Sequence, residues 1–499
     1  MATGRGRLRT FAARPGECSE TVNAGIKSLY LTPPRKPKLN VCFESMPSEI
    51  LLKIFSYLDA VSLLSLGCVN KRFYDLANDN GIWLKLYSSS LHPKWKMKSK
   101  QTEAVSLGCA ALHNKKPGYW KKEYIFKQTC AFKTRVMRLV KFLDPYTGLP
   151  CKNQEAMKVS GLSWIIVLKD KNGKEHVVEK PKLSFKDTSV TVLWYGTDWP
   201  GLDILSTLKL FGVTPLLPDQ SRPPSKKGPR RFSLIAECHL DNLTESSVAV
   251  GADELVQLFS LSPGLLVGIW KEKNEIAFVM ANLHYNQLLE RSILGSATVQ
   301  YTPPPNKPLL DDIDSEYGLH DYSLHLDLHG RSCVYLCGSF KCLFCRKDSV
   351  CIEKLAAAVL CAGLLPPQGD IENGYLRLKV VSLKDNRKHF PITGTLGICW
   401  ETDVFKGNVK DCFVMDLTLL DETGKPFWCF SAPLRMELSA RSSGLYDYMG
   451  HIYTADYADS EGKVCVEFVW LEETKEYIIV SLVLYVSTKK VNSWYGTNY

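Results

Sequence analysis

Residues Met46–Tyr87 read MPSEILLKIFSYLDAVSLLSLGCVNKRFYDLANDNGIWLKLY, and the rest of the chain is read around them. Ile50, Leu51, Ile54, Phe55 and Leu58 recur at helical spacing. At about 100° per residue they mark an apolar stripe about 140° wide, with Glu49, Lys53 and Ser56 on the opposite side. Ser45 can cap this helix, and Pro47 and Glu49 suit its first turn. Asp59 can cap a second helix carrying Val61, Leu63, Leu64 and Leu66, which Gly67 can end. Asn70 can cap a third, with Phe73, Tyr74, Leu76 and Ala77 inside. Asn78-Asp79-Asn80-Gly81 then breaks the pattern, and Trp83, Leu84 and Tyr87 follow. Three helices this short bury little surface by themselves. Periodicity leaves two readings open: a subdomain packed inwards, or a stripe partly reserved for another protein.

The order of residue types resembles the F-box. That module runs Leu-Pro-x-Glu-Ile-Leu, Ile-Phe-x-Tyr-Leu, Leu-Leu, Val-Cys-Lys-x-Trp and a late Trp. Here it appears as Met46-Pro47-Ser48-Glu49-Ile50-Leu51, Ile54-Phe55-Ser56-Tyr57-Leu58, Leu63-Leu64, Val69-Asn70-Lys71-Arg72-Phe73 and Trp83. Met46 and Phe73 depart from the pattern but stay apolar. Asn70 replaces a Cys and suits a helix start. The resemblance covers under a tenth of the chain and implies a role. F-box proteins dock on the adaptor Skp1, which joins them to a cullin-1 scaffold with its RING subunit. Carried over by position, the Skp1-binding residues would be Pro47, Ile50, Leu51, Ile54, Leu58, Leu63, Val69 and Phe73. Burying each aliphatic is worth about 1.5–3 kcal/mol, so several can exceed the roughly 4–15 kcal/mol cost of associating.

Composition sets outer limits. The chain has 499 residues, 45% hydrophobic, enough for two or three domains. No apolar run approaches the eighteen or so residues that span a bilayer, and no apolar h-region opens the chain. Its 17 cysteines are odd in number and irregularly spaced, which reads as reduced thiols in the cytoplasm or nucleus. The net charge of +10 spreads over 62 basic and 52 acidic residues, not the footprint of a dedicated nucleic-acid binder. Neither membrane nor nucleic acid is therefore expected as a partner.

The expected fold class is α+β: a three-helix F-box, then a large, mainly antiparallel β region with a few helices. Residues 1–40 read as a disordered basic tail, 41–88 as the F-box, 89–159 as a helical or irregular linker and 160–499 as β-rich and target-binding. Tyr119–Phe126 can continue a helix in the linker. Ser163–Leu168 and Glu175–Val178 flank Asp170-Lys171-Asn172-Gly173, a hairpin signal. Further strands are expected at Ser189–Tyr195, Phe232–His239, Leu265–Trp270 and Glu275–Leu283. Hairpins are expected for Phe413–Leu420 with Phe427–Phe430 and for Val464–Leu471 with Tyr477–Val486. Asp253–Leu261, Gln287–Leu294 and Cys351–Leu364 read as helices, and Ser221–Arg231 as a basic loop. Trp-Tyr-Gly-Thr occurs at Trp194–Thr197 and Trp494–Thr497 without a wider repeat around it.

Chemistry is sparse. The strongest metal candidate is Cys333, Cys337, Cys342 and Cys345, with His325, His329 and Cys351 near them. Its two pairs are too close to enclose a usual zinc finger. Leu324, Leu326 and Leu328 alternate with His325, Asp327 and His329 as in a half-buried strand. The expectation is therefore a strand pair, with no metal and no cofactor. No P-loop, kinase signature, GxSxG, HExxH or RING-type array occurs. The expected function is a non-catalytic, target-recognition subunit of a Skp1–cullin-1–F-box ubiquitin ligase. The alternative is a Skp1-bound structural or regulatory protein without ligase output. The sequence does not name the target.

Overall fold

The structure, a computed structural model, describes residues 43–91, 115–196, 199–217, 228–241, 243, 248–262, 264–273, 275–304, 319–345, 350–351, 374–381, 390–392, 394–439 and 450–497. The basic tail, most of the Ser221–Arg231 loop and the helix expected over Cys351–Leu364, Cys351 apart, lie outside these residues. Two compact units divide the chain, Met1–Leu51 and Leu52–Tyr499.

The first unit holds a 3-10 turn, Phe43–Ser45, and the opening of helix α1, Ser48–Phe55. Ser45 closes that turn, three residues ahead of the helix's first residue. In the second unit, α2 (Ala60–Leu66) starts where the Asp59 carboxylate accepts from Ser62 N–H, and Gly67 ends it. α3 (Lys71–Ala77) starts where Asn70 accepts from Phe73 N–H. Each cap satisfies a donor the helix itself leaves open. The breaker at Asn78–Gly81 opens a fourth helix, α4 (Asn80–Leu91). Phe55 and Phe73 meet edge to face at 5.7 Å. Trp83 is sealed, its indole N–H donating to Ala77 O at 2.6 Å.

The described part of the segment expected to be a helical or irregular linker is helical and forms a strut. α5 spans Tyr119–Leu139. At one end it locks to α4: Asn80 donates to Lys115 O and Lys116 O, and Lys121 Nζ donates to Asn78 at 2.9 Å. Ring pairs Trp83–Tyr124 and Tyr87–Trp120 lie 5.6 and 5.3 Å apart. At the other end Phe132 and Val136 enter the core of the β region. α6 (Asn153–Ser160) follows, with Ala156 and Met157 in the same core.

Among the described residues, ten strands form the first β half. They are β1 (Ser163–Asp170), β2 (Glu175–Val178), β3 (Lys182–Phe185), β4 (Ser189–Tyr195) and β5 (Leu205–Pro215), then β6 (Arg230–His239), β7 (Val248–Ala252), β8 (Val256–Ser262), β9 (Leu265–Trp270) and β10 (Ile276–His284). They pair antiparallel in two sheets, β2-β1-β5-β6 and β3-β4-β10-β9-β8-β7. Trp164, Ile166, Leu208 and Leu210 of one face Val190, Trp194, Val267 and Val279 of the other in one core. Helix α7 (Leu288–Leu294) follows β10. The helix expected over Asp253–Leu261 is mostly strand β8. Asp253 instead accepts from Leu255 and Val256 N–H in a turn, and the β-rich remainder pairs with β7 and β9.

The second half comprises β11 (Leu319–His329), β12 (Val334–Cys345), β13 (Val350–Cys351), β14 (Tyr375–Val381), β15 (Phe390–Ile392) and β16 (Gly397–Glu401). After these come β17 (Lys406–Lys410), β18 (Cys412–Leu420), β19 (Pro426–Arg435), β20 (Glu437–Leu438), β21 (His451–Ala458), β22 (Gly462–Leu471) and β23 (Glu476–Ser487). Its sheets run β12-β11-β18-β19 and β13-β14-β23-β22-β21-β20, with β15 beside β23 and β16 paired to β17. Setting β15–β17 aside, this strand plan is that of the first half, position for position. Helix α8 (Thr488–Tyr495) also follows the last strand, as α7 does. The described residues thus show the same ten-strand sandwich plan twice. The two Trp-Tyr-Gly-Thr copies fall at non-equivalent places, the ends of β4 and of α8, so they are no relic of this repeat.

The halves meet head to tail: the outer face of the six-stranded first-half sheet lies on the outer face of β12-β11-β18-β19. Its apolar end gathers Leu193, Phe278 and Met280 against Trp400, Val409 and Val414, with Phe278 stacked on Trp400 at 5.5 Å. Glu401 binds Lys182 Nζ at 2.5 Å and the Arg331 guanidinium. These two partners hold its pKa down near about 2. Gly264 (φ +80°) has no room for a side chain, because a Cβ there would strike the Asn282 carbonyl.

Candidate functional site

Helix caps and the Phe55–Trp83 interior fix which F-box side chains remain available. In the first unit Pro47 is exposed, Ile50 is 46% exposed and Leu51 is buried. In the second, Ile54 is 36% and Val69 63% exposed, Leu58 is half-buried, and Leu63 and Phe73 are buried. The eight residues carried over from the F-box pattern therefore split by burial. Pro47, Ile50, Ile54 and Val69 offer apolar surface. Leu51, Leu63 and Phe73 are not available as surface; they belong to the chain's own interior. Tyr57, part of the pattern but not among the residues carried over as docking positions, is 76% exposed. Periodicity could not separate these roles, since both kinds of residue share the helical spacing.

A second concentration of functional groups lies at the polar end of the interface between the β halves. The strand expected to be half-buried, β11, is covered on both faces: His325, Asp327 and His329 are as sealed as the leucines between them. Asp416 and His329 are 0% exposed, and His329 Nε2 donates to Asp416 Oδ2 at 3.1 Å. Asp416 also accepts from Thr188 (3.1 Å) and Ser431 (2.5 Å). Burial alone would raise the Asp416 pKa, but its interactions with His329 outweigh burial and hold it well below the carboxylate range. Asp327 accepts from the same Thr188 hydroxyl at 2.8 Å. None of this was legible in the sequence, since the partners come from strands far apart in the chain.

His284 borders this network. Its Nδ1 accepts from Asn286 N–H at 3.1 Å, which leaves Nε2 to donate to Thr418 Oγ1 at 2.9 Å. Burial pushes its pKa down to about 4, against the attraction of Asp416 and Asp327, with His325 and Arg291 adding repulsion. The free imidazole titrates near about 6.5. Between those values the unfolded chain binds a proton that the folded chain refuses, so stability falls as pH drops from about 6.5 to about 4. The full effect is up to about 3 kcal/mol, less the solvent screening of a half-buried ring. Denaturant titrations across this window should show the slope, and His284→Gln should flatten it.

The cysteines weighed as a metal set do not converge among the described residues. Cys333, Cys337 and Cys342 are exposed thiols, and only Cys337 lies beside His325. An open concavity of about 640 Å³ is lined by Lys169, Asp170, Thr207 and Glu237, with no cysteine or histidine in its wall.

A family model described as F-box-like matches residues 43–89, the span from the 3-10 turn into α4, and defines the class. Proteins of that class are in general non-catalytic adaptors that dock on Skp1. The chain is 48% identical to F-box only protein 15 of Homo sapiens over 99% of this chain and 94% of that protein. It is 51% identical to the Macaca fascicularis protein of the same name, covering 91% and 100%, and 42% identical to that of Mus musculus, covering 90% and 100%. The chain belongs to the F-box only protein 15 family. Among solved structures, a double mutant of transferrin binding protein B from Haemophilus parasuis aligns at 8% identity and a TM-score of 0.13, covering 65% of this chain and 75% of that one.

Proposed function

We propose that the chain is the target-recognition subunit of a Skp1–cullin-1–F-box ubiquitin ligase, working in the cytoplasm or nucleus. Skp1 seats on exposed apolar F-box residues, Ile54 and Val69 in the second unit, and the β halves hold the target protein. The observation that carries this reading is the α4–α5 strut, which runs from the F-box helices into the β core. A subunit that supplies geometry alone needs such rigidity. Holding target and ubiquitin thioester on one frame makes attack by a target lysine effectively intramolecular. The chain itself then contributes no catalytic group.

Reconstitution with Skp1, cullin-1 and its RING subunit tests the proposal: the four proteins should elute together. Retention of Skp1 without cullin-1 would favour a regulatory role outside a ligase. The strut has its own test. Phe126 is 66% exposed on α5, so a proline there breaks the helix, at about 3 kcal/mol, without opening a core. Phe126→Pro should leave Skp1 binding within about twofold and slow ubiquitin transfer roughly tenfold, by diluting the target.

A further inference from the structure

The rim of the polar interface brings together three donor atoms that the hydrogen bonds above leave out, one of them on Asp327. His325 Nε2, Asp327 Oδ1 and Cys337 Sγ all lie within 4.8 Å of one another. Nε2 is 3.3 Å from Oδ1 and 3.9 Å from Sγ. The Asp327 side chain is buried, at 6% exposure, and its Oδ1 makes no well-formed hydrogen bond; it has only the neighbouring His325 ring and Cys337 thiol beside it. Leaving a carboxylate oxygen unsatisfied in the interior is costly.

We propose that His325, Asp327 and Cys337 bind a transition-metal ion, zinc by the character of the donors, with a fourth position open to water at the rim. Tetrahedral zinc has bonds of about 2.0–2.2 Å to N and O and about 2.3 Å to S, which sets neighbouring donors roughly 3.4 Å (N···O) and 3.6 Å (N···S) apart. The two observed separations match these with little adjustment. The ligands are also aimed from behind. Ser339 Oγ, at 2.7 Å, fixes His325 Nδ1 and so turns Nε2 towards the cluster, while Thr188 fixes the other oxygen of Asp327. Such supporting bonds typically change affinity 10–100-fold.

Strand geometry assembles the set. His325 and Asp327 are two apart on β11 and share a face, and Cys337 on β12 is the cross-strand partner of Asp327. β12 is an edge strand, so Cys337 stays exposed and gives an ion a way in. Without metal, burial, a hydrogen bond to Asp327 and the charges of Asp327 and Asp187 push the thiol pKa up. That same negative field favours a cation. Binding replaces the S–H bond with an S–metal bond and releases the thiol proton to the buffer. The pattern was invisible to a search for cysteine pairs, because one ligand is an aspartate and all three are spaced by sheet register.

The test uses the full chain, bound to Skp1 where needed for solubility, stripped with a chelator and titrated with Co²⁺. One ion per chain should bind, with thiolate-to-cobalt charge-transfer absorption that Zn²⁺ bleaches. Cys337→Ser, an exposed and near-isosteric change, should abolish the band and weaken binding at least tenfold with an unchanged far-ultraviolet circular dichroism spectrum. Ser339→Ala should weaken binding and keep the band. Cys333→Ser and Cys342→Ser should match the unaltered chain. Absence of the band, or a band that survives Cys337→Ser, overturns the proposal.

Discussion

Ile54→Asp should reduce Skp1 capture at least 100-fold while the chain stays folded. The side chain stands on α1 with over a third of its surface exposed, so a carboxylate there meets water in the free chain. In a complex it would be buried without a partner. The loss combines the missing aliphatic burial, about 1.5–3 kcal/mol, with the desolvation of a charge. Val69→Asp should act in the same direction. Leu63→Asp is the contrast: Leu63 is fully buried, so that variant should lose the helical module itself. Surface plasmon resonance against immobilised Skp1, with circular dichroism as the folding control, separates the two cases. Binding by Ile54→Asp within threefold of the unaltered chain would remove this face from the adaptor contact.

Asp416→Ala should destabilise the β region by about 3–5 kcal/mol, the usual result of removing one partner of a buried pair. It strands two donors at once, His329 Nε2–H and Ser431, and removes the longer of the two acceptors that share the Thr188 hydroxyl. Because Thr188 belongs to the first half and Asp416 to the second, the variant should also loosen the halves from one another. Hydrogen exchange should then rise across β4, β10, β11 and β18 together. Asp416→Asn should lose less, since its amide oxygen still accepts. In a double-mutant cycle, Asp416→Ala with His329→Ala should be less damaging than the sum of the single changes. A loss under 1 kcal/mol for Asp416→Ala would show the network to be dispensable.

Local signals carried the reading where local physics decides the structure. Asp59 and Asn70 cap the helices they were expected to cap, because an oxygen two or three residues ahead of an open N–H is a short-range fact. The hairpins at Asp170–Gly173 and Asp421–Gly424 follow from turn residues for the same reason. β8 was misread because its leucines admit helical spacing; pairing with β7 and β9 decided it. The adaptor face was only half legible: Ile50 and Ile54 point out while Leu51 and Phe55 point in, and the stripe alone does not say which edge is sealed. The polar interface was illegible, as Asp416 lies 87 residues from His329 and 228 from Thr188. The doubled strand plan was equally hidden, because topology persists where sequence likeness does not.

That duplication has a bearing on self-association. Contact between unlike faces of like units has no built-in stopping point, and a third copy could in principle add to either end. Here the lock is written into one copy alone. Among the described residues, the β16–β17 arm, with Trp400 and Glu401, interrupts the second plan, and its socket around Phe278, Lys182 and Asp253 belongs to the first. Key and keyhole sit on the same polypeptide and engage each other, which occupies both within one chain.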